Sequence, residues 1–333
     1  MIRGKAATTF DKAMDLTVVP GFSAIGSGLR KRMFEWRPPR VEGRSVMVTG
    51  ANAGLGKAAC LDLVRGGAVV HMVCRNREKG EQAQAEIKAE TGVEPELHIC
   101  DLSDLDSVRD FAAGFIESGA ELDVLINNAG VMPPERRHTE AGFEVAFATN
   151  VLGPFLLTEL LMPLLKGGAD GGDDGSGRDR IPARVVMMSS GGMYSSGFSL
   201  EDPQLEKSDY KPTAFYAHTK RAEVMLADEW QSRAGAGGPV FCSMHPGWAV
   251  TPGMSAALPG FHRVAGPILR DAAGGADTAV WLAGATAEEA PGGEFYQDRR
   301  PRPKHRMPTT RDSSEDRKRL YELCAERTGA GSG

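Results

Sequence analysis

The chain has 333 residues, 41% hydrophobic and 25% charged, with 41 glycines, 20 prolines and a net charge of −5. That composition excludes fibrous and disordered classes and suits one α/β domain of roughly 250 residues with extensions. The five cysteines (Cys60, Cys74, Cys100, Cys242 and Cys324) stand far apart with no C-x-x-C pair, which argues against a disulfide framework or zinc knuckle and for a reducing, cytoplasmic setting.

Charge is segregated along the chain. Residues 1–40 hold eight Lys/Arg against three acids, and residues 299–333 hold ten against five. The middle, 41–298, therefore carries about −15 and repels polyanions, so nucleic acid is not an expected partner. No run is long and apolar enough for a simple membrane-spanning helix, and the first residues lack the charge order of a signal peptide.

In chain order, residues 1–40 come first, a basic extension broken by Pro20 and carrying Phe10, Phe22, Phe34 and Trp36. A solvated tail is the plainer reading; a docking or interfacial helix touching a membrane surface or a partner is the sharper one. From Val41 the pattern alternates regularly. Apolar, β-branched runs predict strands at 45–49, 69–74, 97–100, 124–127, 185–189 and 240–245. Helical segments between them are predicted at 54–65, 78–91, 105–117, 143–166 and 216–233. Six such units imply right-handed crossovers and a Rossmann-like doubly wound parallel sheet, one α/β domain over 41–298 with helices on both faces. The Gly- and Asp-rich stretch 167–182 reads as a surface insertion with nothing to bury. Residues 299–313 read as irregular, within a basic C-terminal tail.

The first strand runs into Thr49-Gly50-Ala-Asn52-Ala-Gly54-Leu55-Gly56 and then a helix. Gly50 permits a tight turn, Gly54 lets a pyrophosphate approach the backbone, and Gly56 lets helix and strand pack closely. A Walker A loop is excluded, because Ala51 and Ala58 occupy its Gly and Ser/Thr positions. An NAD enzyme would end the second strand in an acid, but this strand ends Cys74-Arg75-Asn76. Arg75 would face a 2′-phosphate, so NADP(H) is the expected cofactor. Asn128-Ala129-Gly130, closing the fourth strand, could hold the cofactor's adenosine side. Tyr216 and Lys220 stand four apart on one helix face, where the ammonium is expected to stabilise a phenolate and lower the Tyr pKa. None of the seven histidines has H-E-x-x-H or comparable spacing, so no metal is expected. His245 reads as a buried loop histidine rather than a base.

The glycine turn, Asn127-Asn-Ala-Gly130, Met188-Ser189-Ser190 at a strand end and Tyr216-Ala-His-Thr-Lys220, in that order, resemble the short-chain dehydrogenase/reductase superfamily, over about residues 41–298. His71-Met-Val-Cys-Arg75, Ser189-Ser-Gly-Gly-Met193 and Ser243-Met-His-Pro-Gly-Trp248 resemble its retinol-dehydrogenase-like branch. The resemblance implies an oxidoreductase that moves hydride between NADP(H) and a carbonyl or alcohol on an apolar small molecule. It makes Tyr216 the general acid/base, Lys220 the ribose ligand, Ser190 the group that polarises the substrate oxygen, and Asn150 the holder of a relay water. It also implies that Asp101 and Leu102 meet the adenine side, that Asn52 and Leu55 join the glycine turn around the cofactor, and that Pro246, Gly247 and Thr251 close on the nicotinamide. Met193 and Trp248 would wall the substrate pocket. Ser190 and Tyr216 have twenty-five residues between them, about twice the commonest spacing, and the extra segment would shape the substrate entrance. A homo-oligomer would suit this family. The rival readings are a silent NADP-binding sensor or scaffold, which the intact Tyr, Lys, Ser and Asn set disfavours, and a nucleotide-sugar epimerase, whose glycine spacing differs.

Overall fold

The computed structural model describes residues 5–167, 181–235, 237–250 and 266–330. Most of the stretch 167–182 and the whole of Thr251 lie outside the described residues.

One eight-stranded sheet organises the chain, in the order β3-β2-β1-β4-β5-β6-β7-β8. The first five strands in sequence are β1 (Ser45–Thr49), β2 (Val69–Cys74), β3 (Glu96–Ile99), β4 (Val124–Asn127) and β5 (Arg184–Met188). They are followed by β6 (Val240–Met244), β7 (Phe295–Gln297) and β8 (Arg300–Arg302). All neighbouring pairs are parallel except β7 with β8. The sequence pattern foresaw six strands and missed the last two, because three-residue strands are too short to show periodicity.

Helices cover both faces, which is why the central strands are continuous apolar runs. In chain order these are α1 (Lys5–Asp15), α2 (Val18–Phe22), α3 (Ala24–Phe34), α4 (Gly54–Arg65), α5 (Arg77–Thr91) and α6 (Leu105–Glu117). Next come α7 (Val145–Phe147), α8 (Gly153–Gly167), α9 (Pro212–Arg233), α10 (Ala272–Ala283) and α11 (Ser314–Thr328). Val46 and Val48 face the core under α4, α5 and α10, whereas Met47 faces the core under α6, α8 and α9, as the two-residue period of a strand requires. Between α7 and α8 the helix widens into a π-turn over Ala148–Leu152, a distortion that often marks functional positions. The run Val145–Leu165 has a mean hydropathy of 1.6, yet 78% of its most apolar window is buried against the sheet, as in a core helix.

The two basic ends are not solvated tails. Asp11 of α1 takes salt bridges from Arg30, Arg300 and Arg302 at 2.7, 3.1 and 2.9 Å. Asp15 pairs with Arg306 at 2.8 Å. The Phe34 ring lies under Arg300 and the Trp36 ring under Arg299. The basic residues of the C-terminal segment thus meet the acids and aromatic rings of the N-terminal one. The stretch read as irregular contains β8, and α11 beyond it opens with a Ser313/Asp316 capping box and packs on α9 and α8 through Tyr321 and Leu320.

Asp298 and Arg299, joining β7 to β8, both have positive φ, 54° and 56°, the signature of a tight two-residue hairpin. The buried Asp298 carboxylate anchors it: Arg270 donates to it at 2.6 and 3.0 Å, and Arg30 at 2.6 Å.

Candidate active site

Loops at the carboxyl ends of the strands surround a cavity of about 340 Å³. It lies where the strand order reverses between β1 and β4, the usual binding crevice of such sheets. Gly50, Asn52, Gly54 and Leu55 line it from the β1 loop, Arg75 from β2, and Asp101 and Leu102 from β3. Asn128, Ala129 and Gly130 line it after β4, Ser190 after β5, Tyr216 and Lys220 from α9, and Pro246 after β6.

The glycines are required by contact. Gly50 and Gly54 have φ of +67° and +54°. A Cβ on Gly56 would stand 2.3 Å from the Gly50 carbonyl oxygen, so Gly56 seats α4 on the turn without lining the cavity. The N-cap of α4, Ala53, offers no side-chain cap, which leaves the first-turn amides for an anionic group. Thr49 Oγ1 accepts from the amides of Asn128 and Ala129, both at 3.0 Å, and the Asn128 amide group donates to the Thr49 carbonyl at 2.7 Å. The two turns are thereby locked together.

On the opposite wall stand Ser190, Tyr216 and Lys220. Lys220 is buried; its Nζ donates to the Met188 carbonyl at 3.0 Å and to Glu223 Oε1 at 2.6 Å. It lies 5.5 Å from the centre of the Tyr216 ring. Burial raises the Tyr216 pKa; Lys220 and a hydrogen bond with Ser190 pull it down, and Glu223 pushes it up again. The sequence expectation of a lowered Tyr pKa is corrected here, because burial and Glu223 outweigh the ammonium. Burial also drives the Glu223 carboxyl up to about 8. Its second oxygen, Oε2, has no hydrogen-bond partner among the described residues. Glu223 was overlooked in the sequence, although its i+3 position from Lys220 on a helix was a usable signal.

Asn150 sits in the π-turn and is wholly buried outside the cavity lining. Its Oδ1 accepts from the Val131 amide at 2.8 Å, and its Nδ2 donates to the Val131 carbonyl and to Thr219 Oγ1 at 3.0 and 2.9 Å. Both Nδ2 donors are thus spent on Val131 and Thr219, while Oδ1 holds the Val131 amide with one of its two lone pairs.

Met193 and Trp248 do not reach the cavity lining. They belong to an aromatic cluster with Phe22, Tyr194, Val224 and Phe295 behind Ser190. Phe22, from the N-terminal segment, stacks on Trp248 with ring centres 6.0 Å apart and lies 4.7 Å from the His245 ring. Its carbonyl accepts from the Trp248 amide at 2.8 Å. Gly247 has φ +74°, and a Cβ there would strike the Arg270 guanidinium, so it shapes this loop from outside the lining. His245 is buried, accepts from the Gly247 amide at 2.9 Å, and is held down to a pKa of about 3 by burial and by Arg270.

The cradle fits a dinucleotide: positive-φ glycines, uncapped helix amides and an arginine at the end of β2 line one continuous cleft. Residues 44–191 match the family described as short chain dehydrogenase. The chain is 43% identical over 291 residues to dehydrogenase/reductase SDR family member 12 of Bos taurus, covering 86% of this chain and 87% of that one. The chain belongs to the short-chain dehydrogenase/reductase family. Another relative in this oxidoreductase family is human retinol dehydrogenase 12, 36% identical, with 78% of this chain and 79% of that one covered. Among solved structures, an uncharacterized protein from Mycobacterium paratuberculosis superposes with a TM-score of 0.68 at 31% identity, over 88% of this chain and 96% of that one. A short chain dehydrogenase of Shigella flexneri 2a, solved with NADP, shares the fold with a TM-score of 0.59 at 22% identity, over 79% of this chain and all of that one.

Proposed function

We propose that the protein is an NADP(H)-dependent oxidoreductase interconverting a carbonyl and an alcohol on an apolar small molecule. The observation that carries this reading is the convergence of Ser190, Tyr216 and Lys220 on the cavity wall facing the glycine cradle. A nicotinamide cofactor bound in the cleft would supply or accept the hydride. Gly50, Asn52, Gly54, Leu55, Asp101, Leu102 and Asn128–Gly130 would hold it, with Arg75 meeting a 2′-phosphate and Lys220 the nicotinamide ribose.

Tyr216 holds the proton that goes to the substrate oxygen in reduction and takes it back in oxidation. Ser190 donates a hydrogen bond to the same oxygen as negative charge develops on it. Lys220, fixed by Met188 and Glu223, keeps positive charge beside the phenol. The aromatic cluster behind Ser190 and the retinol dehydrogenases among the relatives favour an apolar substrate. Peripheral contact with an intracellular membrane would have to use the exposed Phe10, Leu16, Ile25 and Leu29, since Phe22 is committed to the cluster.

The test is NADPH oxidation against a chemically diverse set of aldehydes and ketones. Tyr216→Phe should lower turnover about 10²–10⁴-fold, the usual contribution of a positioned acid, while NADPH still binds. Near-full activity of that variant on every substrate turned over would overturn the assignment of Tyr216.

A further inference from the structure

On the face of the sheet packed by α6, His71 of β2 and Glu96 and His98 of β3 bring three ligand-type atoms together. Glu96 and His98 alternate onto one face of their strand, and His71 is the register partner of Glu96. His71 Nδ1 lies 3.2 Å from His98 Nε2 and 3.2 Å from Glu96 Oε2, and the remaining side of the triangle, His98 Nε2 to Glu96 Oε2, is 3.7 Å. Tetrahedral coordination at about 2.0–2.1 Å sets ligand atoms about 3.4 Å apart.

The hydrogen bonding around His71 fixes which nitrogen is bare. Ser45 Oγ lies 2.6 Å from the Glu121 carbonyl oxygen, so its single proton is spent there. The 3.1 Å contact between Ser45 Oγ and His71 Nε2 must therefore be donated by the histidine. In neutral His71 this leaves Nδ1 as a lone pair aimed at a carboxylate oxygen 3.2 Å away. The same lone pair faces His98 Nε2 at 3.2 Å, and a cation held by all three atoms would take the place of the His98–His71 hydrogen bond. The hydrogen bond from His71 Nε2 to Ser45 Oγ fixes the ring orientation, as an outer hydrogen bond does for a ligating histidine.

We propose that His71, Glu96 and His98 form a binding site for a divalent transition metal of the zinc class, with the fourth position open to solvent. Two imidazoles and one carboxylate suit Zn²⁺ or Co²⁺ and disfavour Mg²⁺ and Ca²⁺, which take oxygen ligands. Glu96 is exposed and His98 partly so, giving an entry path at the edge of the sheet, whereas His71 is sealed under Phe115. None of the three lines the cofactor cavity, so the site is separate from the reaction centre. It joins β2 to β3, whose following loops carry Arg75 and Asp101. Helix-type spacing rules passed over it because its ligands meet across two strands.

The experiment uses the full chain, stripped with a chelator and dialysed. Calorimetric titration with Zn²⁺ should show one equivalent bound at this site, and Co²⁺ should give the intense visible bands of a four-coordinate ion. Zn²⁺ should raise the melting temperature by linkage, and Mg²⁺ should not. His98→Asn and Glu96→Gln, at positions open to solvent, should abolish that equivalent while melting normally in chelator. No uptake by the wild type, equal uptake by both variants, or an equal response to Mg²⁺ would each overturn the proposal.

Discussion

Lys220 and Glu223 are joined by a hydrogen-bonded ion pair of 2.6 Å, both side chains 2% exposed. A buried carboxylate beside the ammonium works against ionisation of Tyr216. Glu223→Gln keeps an acceptor for Lys220 and removes that charge. We expect the pH midpoint for alcohol oxidation, in which the proposed mechanism uses Tyr216 as base, to move to lower pH. An unchanged midpoint in the pH profile of kcat/KM would mean that Glu223 exerts no charge on the phenol.

Arg75 is 63% exposed on its side chain and lies 3.9 Å from Asp101. A charge-assisted contact with a 2′-phosphate is worth roughly 1.5–3 kcal/mol when well shielded. Solvent screening points to the lower end here, so Arg75→Ala should weaken NADPH about tenfold and leave NADH nearly unchanged. Fluorescence titration with both cofactors reads this directly. Wild-type protein that bound NADH as tightly as NADPH would refute the cofactor preference.

Asp298 is the hub of a buried cluster with Arg30 and Arg270. Removing its charge leaves buried Arg270 without its carboxylate and Arg30 with Asp11 as its remaining one, a change that typically costs about 3–5 kcal/mol. Asp298→Asn should lower the urea midpoint accordingly. The arginines hold the Asp298 pKa below its ordinary value, so its stabilisation is complete above the unfolded-state pKa. It is lost as pH falls through the lower folded-state value.

His245 adds an earlier acid dependence. Its folded pKa is about 3, whereas in the unfolded chain it titrates near 6.5. Below about pH 6.5 the unfolded state therefore binds one more proton, and stability falls by up to about 1.4 kcal/mol per pH unit until the folded value is reached. His245→Asn, which can keep the acceptor for the Gly247 amide, should flatten that slope in urea melts between about pH 6 and pH 4.5.

Phe22 is tested by truncation. Its ring is buried among Tyr194, His245 and Trp248, and Phe→Ala at such sites costs about 3–5 kcal/mol. Phe22→Ala should also raise KM for apolar substrates and leave NADPH affinity intact, because the ring stands behind Ser190 and away from the glycine cradle. A KM change shared equally by small polar substrates would show that the ring acts only on the fold.

The sheet, its helices and the cofactor cradle were legible because local signals carry them: apolar runs for buried strands, Gly50, Gly54 and Gly56 for the turn, and Tyr216 with Lys220 on one helix face. What the sequence hid depends on distant chain segments. Nothing near Phe22 shows that it packs on Trp248, and the positive charge of residues 299–306 does not reveal that Asp11 and Asp15 answer it. Asn150 was found, but the saturation of its amide by Val131 and Thr219 follows only from the π-turn. Met193 and Trp248, named by resemblance as substrate-pocket walls, pack with Phe22, Tyr194 and Phe295, a grouping that local sequence does not show.

The Asp11–Arg302 pair spans 291 residues, which bears on how the protein is made. During synthesis α1 to α3 leave the ribosome well before Arg270, Asp298, Arg300 and Arg302, their charged partners. Until then Asp11 has Arg30 of α3 alone among its three arginine partners, and contacts of such long separation are costly to form early. The nucleotide cradle, built from residues 45–130, can be assembled much sooner. A nascent chain arrested before β7 should thus present a formed glycine turn beside an open substrate wall, and holding apolar surface in that interval is a task for chaperones.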